Sequence, residues 1–253
     1  MPISACIIAG NEAHRITPTL QSLHGWTSEI IVLLNDTVTD ATDKIAESFG
    51  AKVFREPWKG YGPQKNSAGK KAGQKWLLNL DADEVVSDEL RQEIIAIFQN
   101  PGNRPPPAAF SFPRRSFFCG RWIRHGDWYP DRKVRLWQKA AGEWQGDVHE
   151  RLVLEGPVIA LQSNLLHYSN ESIDHMLQKG IRYANEFAGS CRRENRRITL
   201  IHLVIRPPWR FLRGYVFKLG FLDGWRGFSI AWMTAFYTFL RYFKAFEARQ
   251  NKP

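Results

Sequence analysis

Cysteine is scarce. Cys6, Cys119 and Cys191 are the only three in 253 residues. They are far apart, with neither the close spacing of a zinc site nor the even number of a disulfide framework, so a reduced compartment is expected. Long uncharged apolar runs are also missing. A membrane-spanning helix needs about 18–20 such residues. The nearest case, Gly227–Leu240, sits between Arg226 and Arg241 and is too short to cross. The opening MPISACIIAGNE has no basic residues ahead of its short apolar run, so it is expected to be a first strand and not a secretion signal. Acid is in deficit: 25 Asp and Glu face 35 Lys and Arg, a net charge of +10. An excess of that size calls for an anionic partner such as nucleic acid, acidic lipid or a phosphorylated substrate. No repeat or low-complexity tract is visible. The 43% hydrophobic and 24% charged content is that of a globular chain.

The first hundred residues alternate strand and helix signals. ISACIIAG is an apolar run, and a helix is expected over about 13–24. EIIVLLN is a second buried strand. Thr39 or Asp40 then caps a helix that Gly50 ends. AKVFRE is a third strand, residues 66–73 are helical, and KWLLNLD is a fourth strand. This spacing predicts an α/β fold with a mostly parallel sheet. Ligands of such sheets bind beyond the carboxyl ends of the strands, where Asn11, Asn35, Asp36 and Asp81 fall. The proline-rich NPGNRPPP marks a boundary. Residues 109–169 are strand-like, and Ile173 to Asn195 reads as an amphipathic helix.

WLLNLDADEVVSDEL places Asp81, Asp83 and Glu84 within four positions. Two readings compete. Carboxylates at a helix start complement its dipole. Alternatively, two carboxylates on extended backbone share one side of a strand. That pair would make a hard-oxygen site for Mg²⁺ or Mn²⁺, held together with substrate phosphates. The position, directly after a buried strand, favours the metal.

These segments together resemble family 2 glycosyltransferases of the GT-A fold: LDADE after a fourth strand, IIAGNE at the start and a TDAT helix start. The stretch EPWKGYGPQKNSAGKKAGQKWLLNLDADE is similar to the subgroup of bacterial lipopolysaccharide-core β-glucosyltransferases, as are GDWYPDRKVRLW, GDVHERL and LLHYS. The resemblance implies a GT-A catalytic domain over 1–170, with a nucleotide-sugar half (1–100) and an acceptor half (101–170). It implies a UDP-sugar donor contacted by Ala9, Asn11, Glu12, Asn35, Asp36, Lys65, Asp81 and Asp83. Asn35 stands where the family has Asp, which leaves the base open. Asp83 would be the principal metal ligand, with Asp81 beside it and His149 or His167 completing the shell. The base that takes the acceptor proton would be Glu150, with Asp131 as runner-up and Asp127 and Asp147 as further candidates.

The tail is basic and aromatic. From Arg206 to Pro253, nine Lys/Arg face Asp223 and Glu247, and 14 aromatic residues crowd the same stretch. Apolar bulk with Trp and Tyr between flanking cations fits an interfacial membrane segment, a helical appendage over 171–253. Nucleic-acid binding does not require so much aliphatic mass on one helix, so no nucleic-acid partner is expected. On a helix from Gly227, only Thr234, Thr238 and Arg241 form a polar stripe, so the rest is expected to be covered, by lipid or by a second copy of the chain. The expected protein is therefore an inverting, metal-dependent hexosyltransferase. It works peripherally at the cytoplasmic face of a bacterial inner membrane, moving glucose from UDP-glucose to an inner-core lipopolysaccharide sugar. The alternatives are transfer to another lipid-linked or envelope glycan, and a non-catalytic nucleotide-sugar-binding adaptor.

Overall fold

The computed structural model describes residues 1–100, 106–146, 150–168 and 173–250. The chain divides into two compact units: Met1–Arg114 with Arg132–Tyr168, and Arg115–Asp131 with Ser169–Pro253. The segment 115–131 thus groups with the C-terminal helices, whereas the sequence reading keeps it within 101–170.

The chain opens with β1 (Ile3–Ala9), α1 (Ile16–Leu23), β2 (Glu29–Asn35), α2 (Thr42–Ser48), β3 (Lys52–Glu56), α3 (Tyr61–Lys71), β4 (Trp76–Asp81), β5 (Glu84–Val86) and α4 (Asp88–Gln99). It continues through β6 (Ala109–Phe118), β7 (Arg121–Trp122), β8 (Asp131–Gln138), β9 (Gly142–Gln145), β10 (Arg151–Leu154), β11 (Val158–Ala160) and β12 (Leu165–His167). The main sheet runs β3-β2-β1-β4-β8-β6-β12-β5. Its first four strands are parallel, with Ile7 between Val32 and Leu80. They carry continuous apolar runs because both faces are covered; Ile7, Val32, Leu33, Leu78 and Leu80 are fully buried. β8 joins β4 antiparallel, pairing Leu78 with Leu136, and β12 pairs β5 antiparallel. Strand–helix alternation does not announce this second half of the sheet. It is what brings residues from beyond position 110 to the end of β4.

Two local devices hold the frame. Glu29 accepts from Ser4 Oγ (2.6 Å), Gly73 N (2.5 Å) and Lys52 Nζ (2.7 Å), tying β1, β2 and the entry to β4. Burial would raise its carboxyl, but these donors pull it down to about 2. Helix α1 grips the turn after β4: Thr19 Oγ1 donates to the Ala82 carbonyl (2.8 Å), and Val86 N donates to Ser22 Oγ (3.2 Å). Helix α4 is capped by the residue before it. Ser87 Oγ accepts from Leu90 N (3.1 Å), with Asp88 and Glu89 in the first turn.

The second unit contains α5 (Ile173–Arg193), α6 (Leu200–Val204), α7 (Arg206–Leu212), a π-helical turn (Arg213–Phe217), a 3₁₀ turn (Gly220–Asp223) and α8 (Trp225–Gln250). Its interior is made of two clusters, around Met176 with Ile230 and around Cys191 with Tyr242. Among the described residues no helix is long and apolar enough to cross a membrane. Large side chains of this unit are open to solvent in the single chain, including Ile201 (68%), Phe217 (67%) and, on the helix expected to be covered, Trp232 (62%).

Candidate active site

The site lies at the carboxyl end of β4 in the first unit. Asp81 is the last residue of that strand, and Ala82 and Asp83 form a turn into β5. The Asp-x-Asp pair is therefore not on extended backbone, which corrects the sequence expectation, and its two carboxylates meet different partners. Asp81 Oδ1 lies 3.3 Å from Lys65 Nζ, and its Oδ2 lies 2.6 Å from Arg135 Nη2. The same Arg135 nitrogen reaches Glu84 Oε1 at 2.6 Å. Glu84, fully buried, also takes Arg114 Nη1 at 3.1 Å and accepts from Asp81 N at 3.1 Å. Asp83 Oδ2 faces Arg15 Nη1 at 3.3 Å and His167 Nε2 at 3.5 Å. Arg15 is shared with Glu12.

The positive charge that the clustered carboxylates require is thus supplied largely by arginine and lysine. Burial alone would raise the Asp81 carboxyl. The charges of Arg135, Lys65 and Arg114 outweigh it and hold Asp81 well below the ordinary carboxylate range. Asp83 is likewise lowered against burial, by His167 and Arg15, with Asp81 opposing. For Arg135 burial works against the charge, but Asp81 and Glu84 more than compensate and raise its pKa.

Lys65 is the hinge of the arrangement. Only 3% of its side chain is exposed, so it is not a solvated helix residue. Its ammonium sits 3.0 Å from Glu150 Oε1, 3.3 Å from Asp81, and 4.6 Å from the centre of the Trp144 ring. The next residue, Asn66, pairs with the Trp144 backbone as donor (2.7 Å) and acceptor (2.9 Å), fastening α3 to β9. Gly62 is required here because a Cβ would collide with the Gly146 carbonyl, and Glu150 lies directly beside that contact.

A divalent ion is what the Asp-x-Asp pattern implies, and the donor set can be tested for fit. Both Asp81 oxygens are taken by cations. Asp83 is held less closely: its Oδ2 is shared by Arg15 Nη1 at 3.3 Å and His167 Nε2 at 3.5 Å, with the turn fixed by Tyr168 N donating to the Asp83 carbonyl (2.9 Å) and by the pairing of His167 with Glu84. Asp83 and His167 with substrate phosphates fit Mg²⁺ or Mn²⁺.

The other sequence candidates are distributed as follows. Ala9 ends β1. Asn11 Oδ1 accepts from Thr39 N (2.9 Å) and Asp40 N (3.3 Å), and Glu12 N donates to Thr42 Oγ1 (2.9 Å). These bonds stitch the loop after β1 to the start of α2. Asn35 ends β2, and Asp36 is exposed beside it. Asp131 opens β8 and groups with the second unit, where Asp127 is bound by Arg210, Arg213 and Lys218. His149 and Asp147 lie outside the described residues. Arg15, Arg114 and Arg135 were not singled out from the sequence. Arg135 carried a signal, being a charge inside the apolar stretch VRLW of a strand; Arg15 and Arg114 carried none.

The family model described as Glycosyl transferase family 2 matches residues 4–145. An uncharacterised glycosyltransferase of Rickettsia typhi is 31% identical over 249 residues, covering 94% of this chain and 85% of the relative. The lipopolysaccharide core biosynthesis glycosyltransferase LpsC of Rhizobium meliloti is 28% identical, covering 100% of this chain and 94% of LpsC. Among solved structures, S. aureus TarS 1-349 in complex with UDP-GlcNAc aligns over 99% of this chain and 92% of that one, with a TM-score of 0.53 at 13% identity. Against the longer TarS chain this protein spans 40%. The fold is therefore GT-A, followed by C-terminal helices.

Proposed function

Since the chain belongs to glycosyl transferase family 2, we propose that it transfers a hexose, most simply glucose from UDP-glucose, to an inner-core sugar of lipopolysaccharide, with inversion and with a divalent ion. The observation that carries this reading is the Lys65 bridge: one buried ammonium ties Asp81 at the donor end of β4 to Glu150, the candidate base. The full-length similarity to LpsC supports a lipopolysaccharide-core acceptor. The donor class is that of the TarS complex, a uridine diphosphate sugar.

The reaction assigns each residue a task. Glu150 accepts the proton of the acceptor hydroxyl as its oxygen bonds to the anomeric carbon. The bond from that carbon to the diphosphate breaks on the opposite face, and the electron pair leaves with UDP. Lys65 holds the Glu150 carboxylate in place, and Arg135 holds Asp81 and Glu84. Among the described residues, Glu12, Asp81, Asp83, Glu84 and Glu150 face four permanent cations, Arg15, Lys65, Arg114 and Arg135. A bare diphosphate would meet a negative balance, which favours its arrival with a divalent ion. Asp83 and His167 would hold that ion, and it would supply positive charge to the departing diphosphate.

Differential scanning fluorimetry with UDP-glucose, with and without Mn²⁺, tests the assignment. UDP-glucose with Mn²⁺ is expected to raise the melting temperature of the wild type, and Asp83→Ala is expected to lose that shift together with transfer. Donor binding indifferent to both metal and substitution would reject the site.

The second unit would hold the enzyme peripherally on an anionic membrane, at the cytoplasmic face of the inner membrane if the acceptor is as proposed. Support comes from exposed Trp209, Phe217 and Trp225 beside Arg206, Arg210, Arg213 and Lys218. Cosedimentation with phosphatidylglycerol vesicles is expected for the wild type and should weaken by more than about tenfold in Phe217→Glu/Trp225→Glu, since two aromatics inserted in lipid contribute well over ~1.4 kcal/mol. Equal sedimentation of the two proteins would reject the membrane face.

A further inference from the structure

Helix α8 presents two different stripes. Trp232, Phe236 and Phe239 line an apolar groove with α7. Thr234, Thr238 and Arg241, the polar stripe legible in the sequence, line a separate cavity of about 370 Å³ within the second unit. Trp128, Tyr183, Lys179 and Arg210 complete its chemistry. Among the described residues, three cations and no carboxylate line it.

We propose that this cavity binds a phosphorylated saccharide, a sugar bearing a phosphate monoester. Arg241 is the central observation. It has no carboxylate partner among the described residues, and its Nε is buried without a hydrogen-bond partner there. The guanidinium is held by two aromatic faces, Phe187 at 5.2 Å and Tyr242 at 4.9 Å. An arginine fixed by stacking keeps its planar set of donors for an incoming oxyanion, and a phosphate matches that fork. A buried N–H left unpaired carries a desolvation cost that such a ligand offsets. Arg210 adds a second charge. Its partner Asp127, at 3.4 Å, is shared with Lys218 at 3.1 Å and Arg213 at 3.8 Å, so three cations surround one carboxylate.

The rest of the wall suits a sugar. Thr234 and Thr238 donate their hydroxyl protons to carbonyls one turn back, both at 2.8 Å, which leaves their oxygens as acceptors for sugar hydroxyls. Trp128 and Tyr183 offer aromatic surface to the C–H face of a ring. The wall is also built to a shape, because the Tyr237 ring occupies the place a Cβ would take on Gly180 of α5. The volume falls in the range of small-ligand sites and is too confined for a polymer groove.

Isothermal titration of the full chain with glucose 1-phosphate, glucose and inorganic phosphate tests the proposal. Glucose 1-phosphate is expected to bind most tightly, and Arg241→Gln to weaken it by about tenfold, the loss of one charged hydrogen bond. Because Arg241 also packs on two rings, Arg210→Gln is the second variant; Arg213 and Lys218 still face Asp127 in it, so folding is retained. Asp83→Ala is expected to leave this binding unchanged, which separates it from the donor site and from the glycosyl-transfer reading. Phosphatidylcholine vesicles doped with lipid A identify the source. Vesicle binding lost in Arg241→Gln and displaced by glucose 1-phosphate assigns a lipid headgroup. Soluble binding alone that depends on Arg241 assigns a free sugar phosphate. Binding of glucose 1-phosphate that is absent, insensitive to both arginines, or lost in Asp83→Ala overturns the proposal.

Discussion

Glu150→Gln is expected to lower kcat by about 10²–10⁴-fold, the usual contribution of a positioned general base, while UDP-sugar binding persists. The amide keeps the shape of the side chain and can still accept from Lys65 Nζ, which lies 3.0 Å from the carboxylate in the native protein. It cannot take the acceptor proton. The proposed donor contacts at Asp81 and Asp83 are on a separate segment, so the substitution should split binding from turnover. Initial rates with UDP-glucose and a lipopolysaccharide-core acceptor, alongside donor titrations, make the measurement. Normal turnover would remove Glu150 from the reaction and leave Asp131 as the next candidate. Loss of both binding and turnover would mean that Glu150 acts through Lys65 on the donor side.

Arg135→Met should destabilise the fold by about 3–5 kcal/mol, the cost of removing one partner from a buried ion cluster. Methionine preserves much of the bulk but leaves Glu84, which has no solvent exposure, with Arg114 as its one cation among the described residues, and leaves Asp81 with Lys65. The pH dependence has a definite sign. Asp81 is held below its ordinary pKa in the folded protein, Arg135 being the largest of the lowering charges. A depressed carboxylate stabilises the fold fully above its unfolded pKa of about 3.9, and that contribution is lost as pH falls. The gap between wild type and variant is therefore widest near neutrality and narrows in acid. Urea unfolding at pH 7 and at about pH 2, below the unfolded pKa of the carboxylate, reads both effects, and Arg135→Met/Glu84→Gln is expected to recover part of the loss. A variant as stable as the wild type at pH 7 would show that the cluster is held by other means.

Much of the parallel half of the sheet was legible in the linear chain because its signals are local. Apolar runs marked β1, β2 and β4. Position at strand ends singled out Asp81 and the segments around Asn11 and Asn35. The polar stripe Thr234, Thr238 and Arg241 followed from helical periodicity alone, and it now lines a cavity.

The charge balance of the site was not legible. Three carboxylates in sequence suggested that a metal supplies the missing positive charge, yet the nearest cations come from far away in the chain. Arg135 is 54 residues from Asp81, Arg15 is 68 from Asp83, and Lys65 is 85 from Glu150. Strand propensity and side-chain alternation act over a few neighbours and specify which residues face inward. They do not specify which strand lies alongside. The antiparallel insertion of β8 next to β4 puts Arg135 beside Asp81, and the pairing of β12 with β5 puts His167 beside Asp83. Buried charge is stable only where opposite charge is within hydrogen-bond reach. The partners, and with them the electrostatics of the site, were therefore decided by sheet order, while the strands and the carboxylates they carry were already written in the sequence.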